Sequence, residues 1–406
     1  MSAALASAAV ATANDEAPTD VASLAELIAG ASEPLAVVGG ATKDPMLRPS
    51  DAPRRVSTRA LDGITLYAPK ELVLAARAGT PLATIETAAA AEGQHLVAEP
   101  PDLSRLLGTA GTQTVGGVVA TNLSGPRRVA WGATRDQVLG VVAVNGRGEV
   151  IRSGGRVLKN VTGLDLAKLL TGSFGTLAVL TEITLKVMPA PERRATVAVA
   201  TPEPARGVAA LAAALGSPYG VSGAAYLPAN VSSRVPTLAS LDGGVAIARL
   251  EDFAASVAYR SGRLRDELAA FGPAEILDDG ATRALWADVR DAVPLVGAGE
   301  AVWRVSVRPS AGPAVAAAIG ADAMWFLDWG GGLVWITGSR ELHGRVAEAA
   351  RAARGTWMLL RAPENLRRAV DVLPPETPGL ARITREVKAA FDPRSILNPG
   401  RMWASV

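Results

Sequence analysis

Hydrophobic positions along this chain follow two rhythms. Leu24, Leu27 and Ile28 share one face at helical spacing, behind Asp20 as a cap and ahead of Gly30 as a stop. Leu82, Ile85 and Ala89 repeat that spacing on a helix that Thr80 opens as N-cap, with Pro81 at its first position and Gly93 ending it. Between and after these helices, short runs of branched and small residues predict buried strands over Leu35 to Val38, Glu71 to Ala78, Gln137 to Val144 and Leu177 to Val187. Asn145-Gly146-Arg147-Gly148 predicts a hairpin turn whose return strand runs from Glu149 to Arg152. Lys159-Asn160-Val161-Thr162-Gly163-Leu164-Asp165 then leads into a short helix ending near Leu170.

Prolines at 189, 191, 202 and 204 predict a boundary, and beyond it helices and strands alternate more evenly. Helical patterns lie near 204–215, 252–271, 281–291, 311–319 and 341–353; strand patterns lie near 221–227, 244–250, 301–308, 323–328, 332–337 and 356–361. That order predicts a sheet with helices packed on it. Met324 to Trp329 and Leu333 to Ile336 place aromatics on both sides of a glycine turn, which predicts sheet core, with a substrate-facing wall as the alternative. A last helix near 378–390 precedes Asn398-Pro399-Gly400, turn residues that predict a docked tail. The expected division is a disordered tail over 1–18, one domain over 19–190, a second over 191–375, and a helix and tail over 376–406 that return to the first.

Three glycine-rich loops interrupt the first domain. The densest places Gly108, Gly111, Gly116, Gly117 and Gly125 at irregular spacing, with Thr112, Thr114, Thr121, Asn122 and Ser124 between them. Glycine lets backbone approach a ligand closely, and successive free N–H groups can form an anion-binding nest. A turn-rich connection between strands explains the composition equally well. The strand Leu35 to Val38 runs into Gly39-Gly40-Ala41-Thr42-Lys43, a candidate phosphate loop. It has neither the P-loop spacing nor the Gly-x-Gly-x-x-Gly of a Rossmann turn.

Composition narrows the chemistry. With 41 basic against 39 acidic residues and no dense basic block, a nucleic-acid surface is not expected. There is no cysteine, which excludes disulfides, thiolate nucleophiles and iron–sulfur clusters ligated by this chain, and suits a cytoplasmic protein. No run is apolar for long enough to span a membrane, and the Ala/Ser-rich start lacks the basic residues of a secretory signal. Only two histidines occur, His95 and His343. The first adjoins a strand and the second begins an amphipathic helix, positions that favour structural or solvated roles.

Taken in order, several motifs resemble one family. They are Gly39-Gly40-x-Thr42-Lys43, Thr114-Val115-Gly116-Gly117-x-Val119-Ala120-Thr121-Asn122, Gly132-Ala133-x-Arg135-Asp136-x-Val138-Leu139-Gly140, Lys159-Asn160-Val161-Thr162-Gly163-x-Asp165, Gly172-Ser173-x-Gly175-Thr176-Leu177, and Phe391-Asp392-Pro393 through Asn398-Pro399-Gly400-Arg401. Together they are similar to the vanillyl-alcohol-oxidase-type flavoproteins. Within that family, Leu123-Ser124-Gly125-Pro126-Arg127-Arg128 and Ala78-Gly79-Thr80-Pro81-Leu82 resemble the E subunits of bacterial glycolate oxidases. The likeness covers 35–190 and 380–402 in detail and 200–360 in layout only.

The resemblance implies an α+β fold: a PCMH-type FAD-binding domain of two subdomains, a C-terminal α+β cap domain, and a C-terminal tail returning to the FAD domain. It implies non-covalent FAD, because the first glycine loop lacks the histidine to which some members bond the flavin. By motif, Gly39, Gly40, Ala41, Thr42 and Lys43 would hold the pyrophosphate. Pro101, Thr112, Thr114, Gly116, Gly117, Thr121 and Asn122 would line the flavin and ribityl region, Val179 would touch the cofactor through its backbone, and Asn398 and Arg401 would meet it from the tail.

Related 2-hydroxy-acid dehydrogenases carry a histidine-rich motif in the cap that this chain lacks, so no catalytic residue is assigned. Oxidising a 2-hydroxy acid requires a group to take the hydroxyl proton. A carboxylate clamp is also needed, for which Arg304, Arg308 and Arg361 are candidates. The implied function is the FAD-binding subunit of a glycolate oxidase or dehydrogenase complex, working with a catalytic FAD subunit paralogue and an iron–sulfur subunit on a small 2-hydroxy acid. Membrane association through those partners is left open. The alternatives are a self-sufficient FAD dehydrogenase of a small 2-hydroxy acid such as D-lactate, and a non-catalytic flavin-binding assembly scaffold.

Overall fold

The computed structural model describes residues 15–155 and 164–404. The chain divides into two compact units, one made of Met1–Leu123, Ala133–Ala190 and Pro375–Val406, the other of Ser124–Gly132 and Pro191–Pro374. Lys159 to Gly163, read as part of a motif, lie outside the described residues, as do the first fourteen residues of the expected tail.

In the first unit, β1 (Leu35–Val38) pairs in parallel with β2 (Arg54–Ser57). Next come β3 (Ile64–Ala68), β4 (Val73–Arg77) and β5 (Gln94–His95). They are followed by β6 (Val138–Asn145), β7 (Val150–Gly154), β8 (Ala178–Lys186) and β9 (Met188–Pro189). A five-stranded antiparallel sheet runs in the order β3-β4-β8-β6-β7, and β5 pairs with β9. Leu82, Ile85, Val115, Val118 and Val119 come from two helices, Leu82–Ala91 and Val115–Thr121, and share one core with Leu74, Leu180 and Ile183 of the sheet. A second core joins Leu24 and Ile28 to Leu35, Val56, Val144, Val179 and Leu397.

Local chemistry explains the helix ends. Asp20 accepts from Ser23 N at 2.8 Å and completes a capping box for the helix Val21–Gly30. At the other end of that helix, Arg394 donates to the carbonyls of Ile28, Ala29 and Ala31, adding to the bond that Ile28 O accepts from Ala31 N. Thr80 differs from expectation: Pro81 is the cap residue of Leu82–Ala91, and the buried Thr80 hydroxyl instead accepts from Gly63 N at 2.9 Å. The expected tail also shortens, since Glu16 bridges Val56 and its carboxylate meets Arg54 at 2.8 Å.

The C-terminal tail is held in the first unit by a completed charge cluster. Lys388 Nζ donates to Asp392 Oδ2 at 2.8 Å and to the carbonyls of Thr176 and Leu397 at 2.6 and 2.9 Å. Asp392 also accepts from the N–H groups of Ile396 and Leu397.

The second unit is an eight-stranded antiparallel sheet. Its strands are β10 (Arg193–Ala200), β11 (Val221–Leu227), β12 (Val245–Asp252), β13 (Ala274–Leu277), β14 (Ala301–Ser306), β15 (Met324–Asp328), β16 (Leu333–Gly338) and β17 (Thr356–Arg361). They lie in the order β13-β10-β12-β11-β15-β16-β14-β17. The β10 strand falls where the prolines predict a boundary: they flank it without entering it, and Ala195 to Val199 are buried. Helices Pro204–Gly216 and His343–Ala352 pack on one face; a Cβ on Gly207 would meet the Tyr226 ring at 2.3 Å, and Trp303 Nε1 donates to His343 Nδ1 at 3.2 Å.

Ser124–Gly132 belongs to this second unit, although by sequence it falls inside the first domain. Arg127 makes a bidentate pair with Glu251 at 2.9 and 2.7 Å, and Trp329 Nε1 donates to Gly125 O at 3.1 Å. Glu251 also accepts from Ser222 Oγ at 2.7 Å and Arg194 Nε at 3.2 Å. Burial alone would raise the Glu251 pKa, but Arg249 and Arg127 outweigh it and hold the carboxyl well below its ordinary range. Among the described residues, no helix is long and apolar enough to cross a membrane.

Candidate functional site

In the first unit, the loop after β1 and the loop before the helix Val115–Thr121 interlock through glycine. A Cβ on Gly40 would lie 1.6 Å from Thr112 O, and one on Gly111 would lie 1.8 Å from Gly40 O. Any side chain at either position would push the two backbones apart. Gly39 faces Thr114, whose Oγ1 would be 2.6 Å from an added Cβ.

Among the described residues, no backbone N–H from Gly39 to Lys43, or from Gly111 to Thr114, donates a hydrogen bond inside the protein. Gly40, Ala41, Thr42 and Thr114 are nevertheless buried. Backbone N–H groups left this way are costly unless an acceptor arrives. Ala41 sits at φ 59°, a left-handed conformation rare outside glycine, which turns successive N–H groups of the loop in new directions.

Lys43 gives the site its charge. Its Nζ donates to Gln113 Oε1 at 2.7 Å and Thr42 Oγ1 at 3.2 Å, both neutral oxygens. Burial pulls the ammonium pKa down to about 8, with Asp102 opposing weakly, so it is still charged at neutral pH. Nζ also lies 3.9 Å from where a Cβ on Gly117 would stand. The arrangement can hold an anion with several acceptor oxygens: unpaired donors, one under-compensated cation, and no Cβ in the way.

The other residues expected at the site divide by what holds them. Gly116 is a packing glycine, since a Cβ there would meet Ala78 O at 2.7 Å. At the start of the helix, the N–H groups of Val115, Gly116, Gly117 and Val118 all have partners in the fold, so they are not part of the free-donor set. Thr121 donates back to Gly117 O at 2.8 Å, and Asn122 ends the helix at φ 50° and accepts from Arg135 N. Pro101 is buried next to Asp102, the carboxylate felt by Lys43. Val179 is fully in the core.

Asn398 and Arg401 act on the loop from behind. Asn398 Oδ1 accepts from Val37 N and its Nδ2 donates to Phe174 O, each at 2.8 Å. Arg401 donates to Lys43 O at 2.9 Å, Asp44 O at 3.2 Å and Arg48 O at 2.9 Å. Both side chains position the loop. Gln113, the acceptor of the Lys43 ammonium, was not picked out from the sequence, and Gly111 was picked out only as one glycine of the run. An apolar pocket lined by Leu96, Val97, Pro100, Val118, Thr134 and Gln137 lies along the same helix.

In the second unit, His343 is half-buried, accepts from Trp303, and has its pKa lowered by burial, so it is a core acceptor. Among the described residues, no group of three or more His, Cys, Asp or Glu could hold a metal ion. Of the candidate arginines, Arg308 is exposed and Arg361 donates to Gly299 O, whereas Arg304 lies over the rings of Trp335 and Trp329 at 4.8 and 5.4 Å.

Residues 8–154 match the FAD binding domain family FAD_binding_4. The chain is 32% identical over 381 residues to glycolate oxidase subunit GlcE of Escherichia coli (strain K12), covering 92% of this chain and 93% of that protein. It is 41% identical over 97 residues to glycolate oxidase subunit GlcD of Bacillus subtilis (strain 168), a match to 24% of this chain and 20% of that one. Among solved structures, substrate-bound p-cresol methylhydroxylase is similar with a TM-score of 0.71 at 13% identity, over 96% of this chain and 88% of the other, a likeness of fold. By identity along nearly its whole length, the chain belongs to the GlcE family of glycolate oxidase subunits, FAD-dependent oxidoreductases built on the FAD binding domain.

Proposed function

We propose that this chain is the FAD-binding subunit of a complex that oxidises glycolate to glyoxylate, working with a catalytic flavoprotein subunit and an iron–sulfur subunit. The observation that carries the reading is the paired loop of Gly39 to Lys43 and Gly111 to Thr114, with its unpartnered N–H groups and its lysine on neutral oxygens. The diphosphate of FAD meets each need of that loop: acceptors for the N–H groups, a counter-charge for Lys43, and a narrow group that passes where side chains cannot. Thr112, Thr114, Gly117 and Pro101 border it, and Asn398 and Arg401 hold it in shape from the tail. No histidine lies in the first glycine loop, which supports non-covalent attachment.

Bound FAD supplies two-electron redox chemistry; the chain's own residues hold and orient it. His343 is committed to Trp303, so the hydroxyl proton of the substrate is assigned to a group on the catalytic partner. With no cysteine in this chain, iron–sulfur ligands also come from a partner.

The test is reconstitution. Glycolate-dependent dye reduction should require this chain and both partners together, and should fall when this chain is loaded in a flavin-free form. Turnover by the purified chain alone at the rate of the complex would establish a self-sufficient dehydrogenase instead. Unchanged activity with the flavin-free form would reduce the chain to a scaffold.

A further inference from the structure

We propose that the second unit carries its own carboxylate-binding site at Arg304, walled by Trp335 and Trp329 and edged by Arg128. The site is built on β14 and β16, with Trp329 just after the end of β15. Arg304 stands on β14 directly across from Trp335 of β16. Trp335 stacks on Phe326 of β15 with ring centroids 6.0 Å apart, so these side chains share one face of the sheet. Helix His343–Ala352 meets the opposite face through Trp303.

Arg304 and Trp335, which face each other across β14 and β16, each carry a donor without a partner. Arg304 Nε is buried and has no hydrogen-bond acceptor, and among the described residues its guanidinium makes no hydrogen bond or ion pair. Beside it, the buried indole Nε1 of Trp335 is also a donor without an acceptor. Two neighbouring orphan donors on one face call for an acceptor that neither strand supplies. Stacking on two indoles offsets part of the cost of burying the cation but fills none of its donor positions. Arg128 lies over the other tryptophan at 4.6 Å, and its charge opposes that of Arg304, while Asp328 is the one acid felt there.

The geometry favours a carboxylate over a rounder anion. The Arg304 guanidinium carries a planar fork of N–H groups, which matches two coplanar oxygens. The choice of glycolate as the natural occupant rests on the proposed function; the site itself does not.

The test uses the full-length chain as purified with its flavin. Glycolate and oxalate are titrated by calorimetry, with the near-ultraviolet circular dichroism of the indoles followed in parallel and sulfate as the comparison anion. Saturable carboxylate binding with a change in the indole signal is expected in the wild type. R304Q should weaken it by about 10- to 100-fold, the loss of charge-assisted hydrogen bonds, with R304K intermediate because it keeps the charge without the fork. R308Q, at an exposed arginine, should bind as wild type does. Equal binding by R304K, R304Q and wild type would overturn the proposal, as would sulfate binding as tightly as oxalate, or no binding at all. Should R304Q not fold, R304K and R308Q still decide it. Flavin content is read separately, so a colourless protein that binds oxalate refutes the proposed function and leaves this site standing.

Discussion

Lys388 and Lys43 belong to the same compact unit, and burial lowers the pKa of both, yet they are partnered in opposite ways. Lys388 meets a carboxylate and two carbonyls, so its donors are satisfied inside the protein. Lys43 meets only an amide oxygen and a hydroxyl, in a loop whose backbone N–H groups are also unmet. A buried cation that is complete within the fold serves the fold. One left short serves something that binds. The second unit repeats the contrast: Glu251 pairs with Arg127, Arg194 and Arg249, while Arg304 lies over indole faces and its Nε has no acceptor.

The largest effect should come from breaking the complete pair. D392A leaves the Lys388 ammonium buried without its counter-ion and removes the acceptor for two tail N–H groups, which should cost about 3–5 kcal/mol of stability. Denaturant midpoints of the flavin-free protein measure this. A loss under about 1 kcal/mol would mean that the tail is not held this way.

The incomplete cation should behave in reverse. K43Q removes a buried charge, so the flavin-free protein should lose little or no stability, while FAD affinity should fall by roughly 10- to 100-fold. Both are read on one preparation, by thermal denaturation and by flavin titration.

The same lysine predicts a smaller effect of pH. Its folded pKa, about 8, is below the ordinary 10.5, so the unfolded chain binds more protons between those values. The flavin-free protein therefore gains stability as pH rises through that window, the penalty being complete below about 8. FAD binding runs the other way. Above pH 8 the ammonium must be re-protonated to meet the diphosphate, so affinity declines toward pH 10. K43R should flatten that decline; an equal slope in wild type and K43R would separate Lys43 from the diphosphate.

The first unit was more legible from sequence than the second, for physical reasons. Gly39 to Lys43, Thr112 and Thr114 could be picked out because close backbone approach demands glycine, and those glycines stay contiguous in the chain. Asn398 and Arg401 were placed at the cofactor by the resemblance of the tail motif; the partners the structure gives them, Val37, Phe174 and the carbonyls of 43–48, are backbone atoms to which no sequence pattern points. Strand Arg193–Ala200 was hidden because its small residues are buried on both faces and do not alternate. The transfer of Ser124–Gly132 to the second unit depends on one arginine finding Glu251 far along the chain, a contact that periodicity cannot reveal.

The most direct test of the account is the flavin content of the purified chain, alongside G111V, whose side chain would lie against Gly40 O. The account predicts a yellow wild-type protein with stoichiometric FAD that is released into the supernatant on acid precipitation, and a G111V protein that has lost it. A folded wild-type chain without FAD, or G111V retaining full FAD, would contradict it.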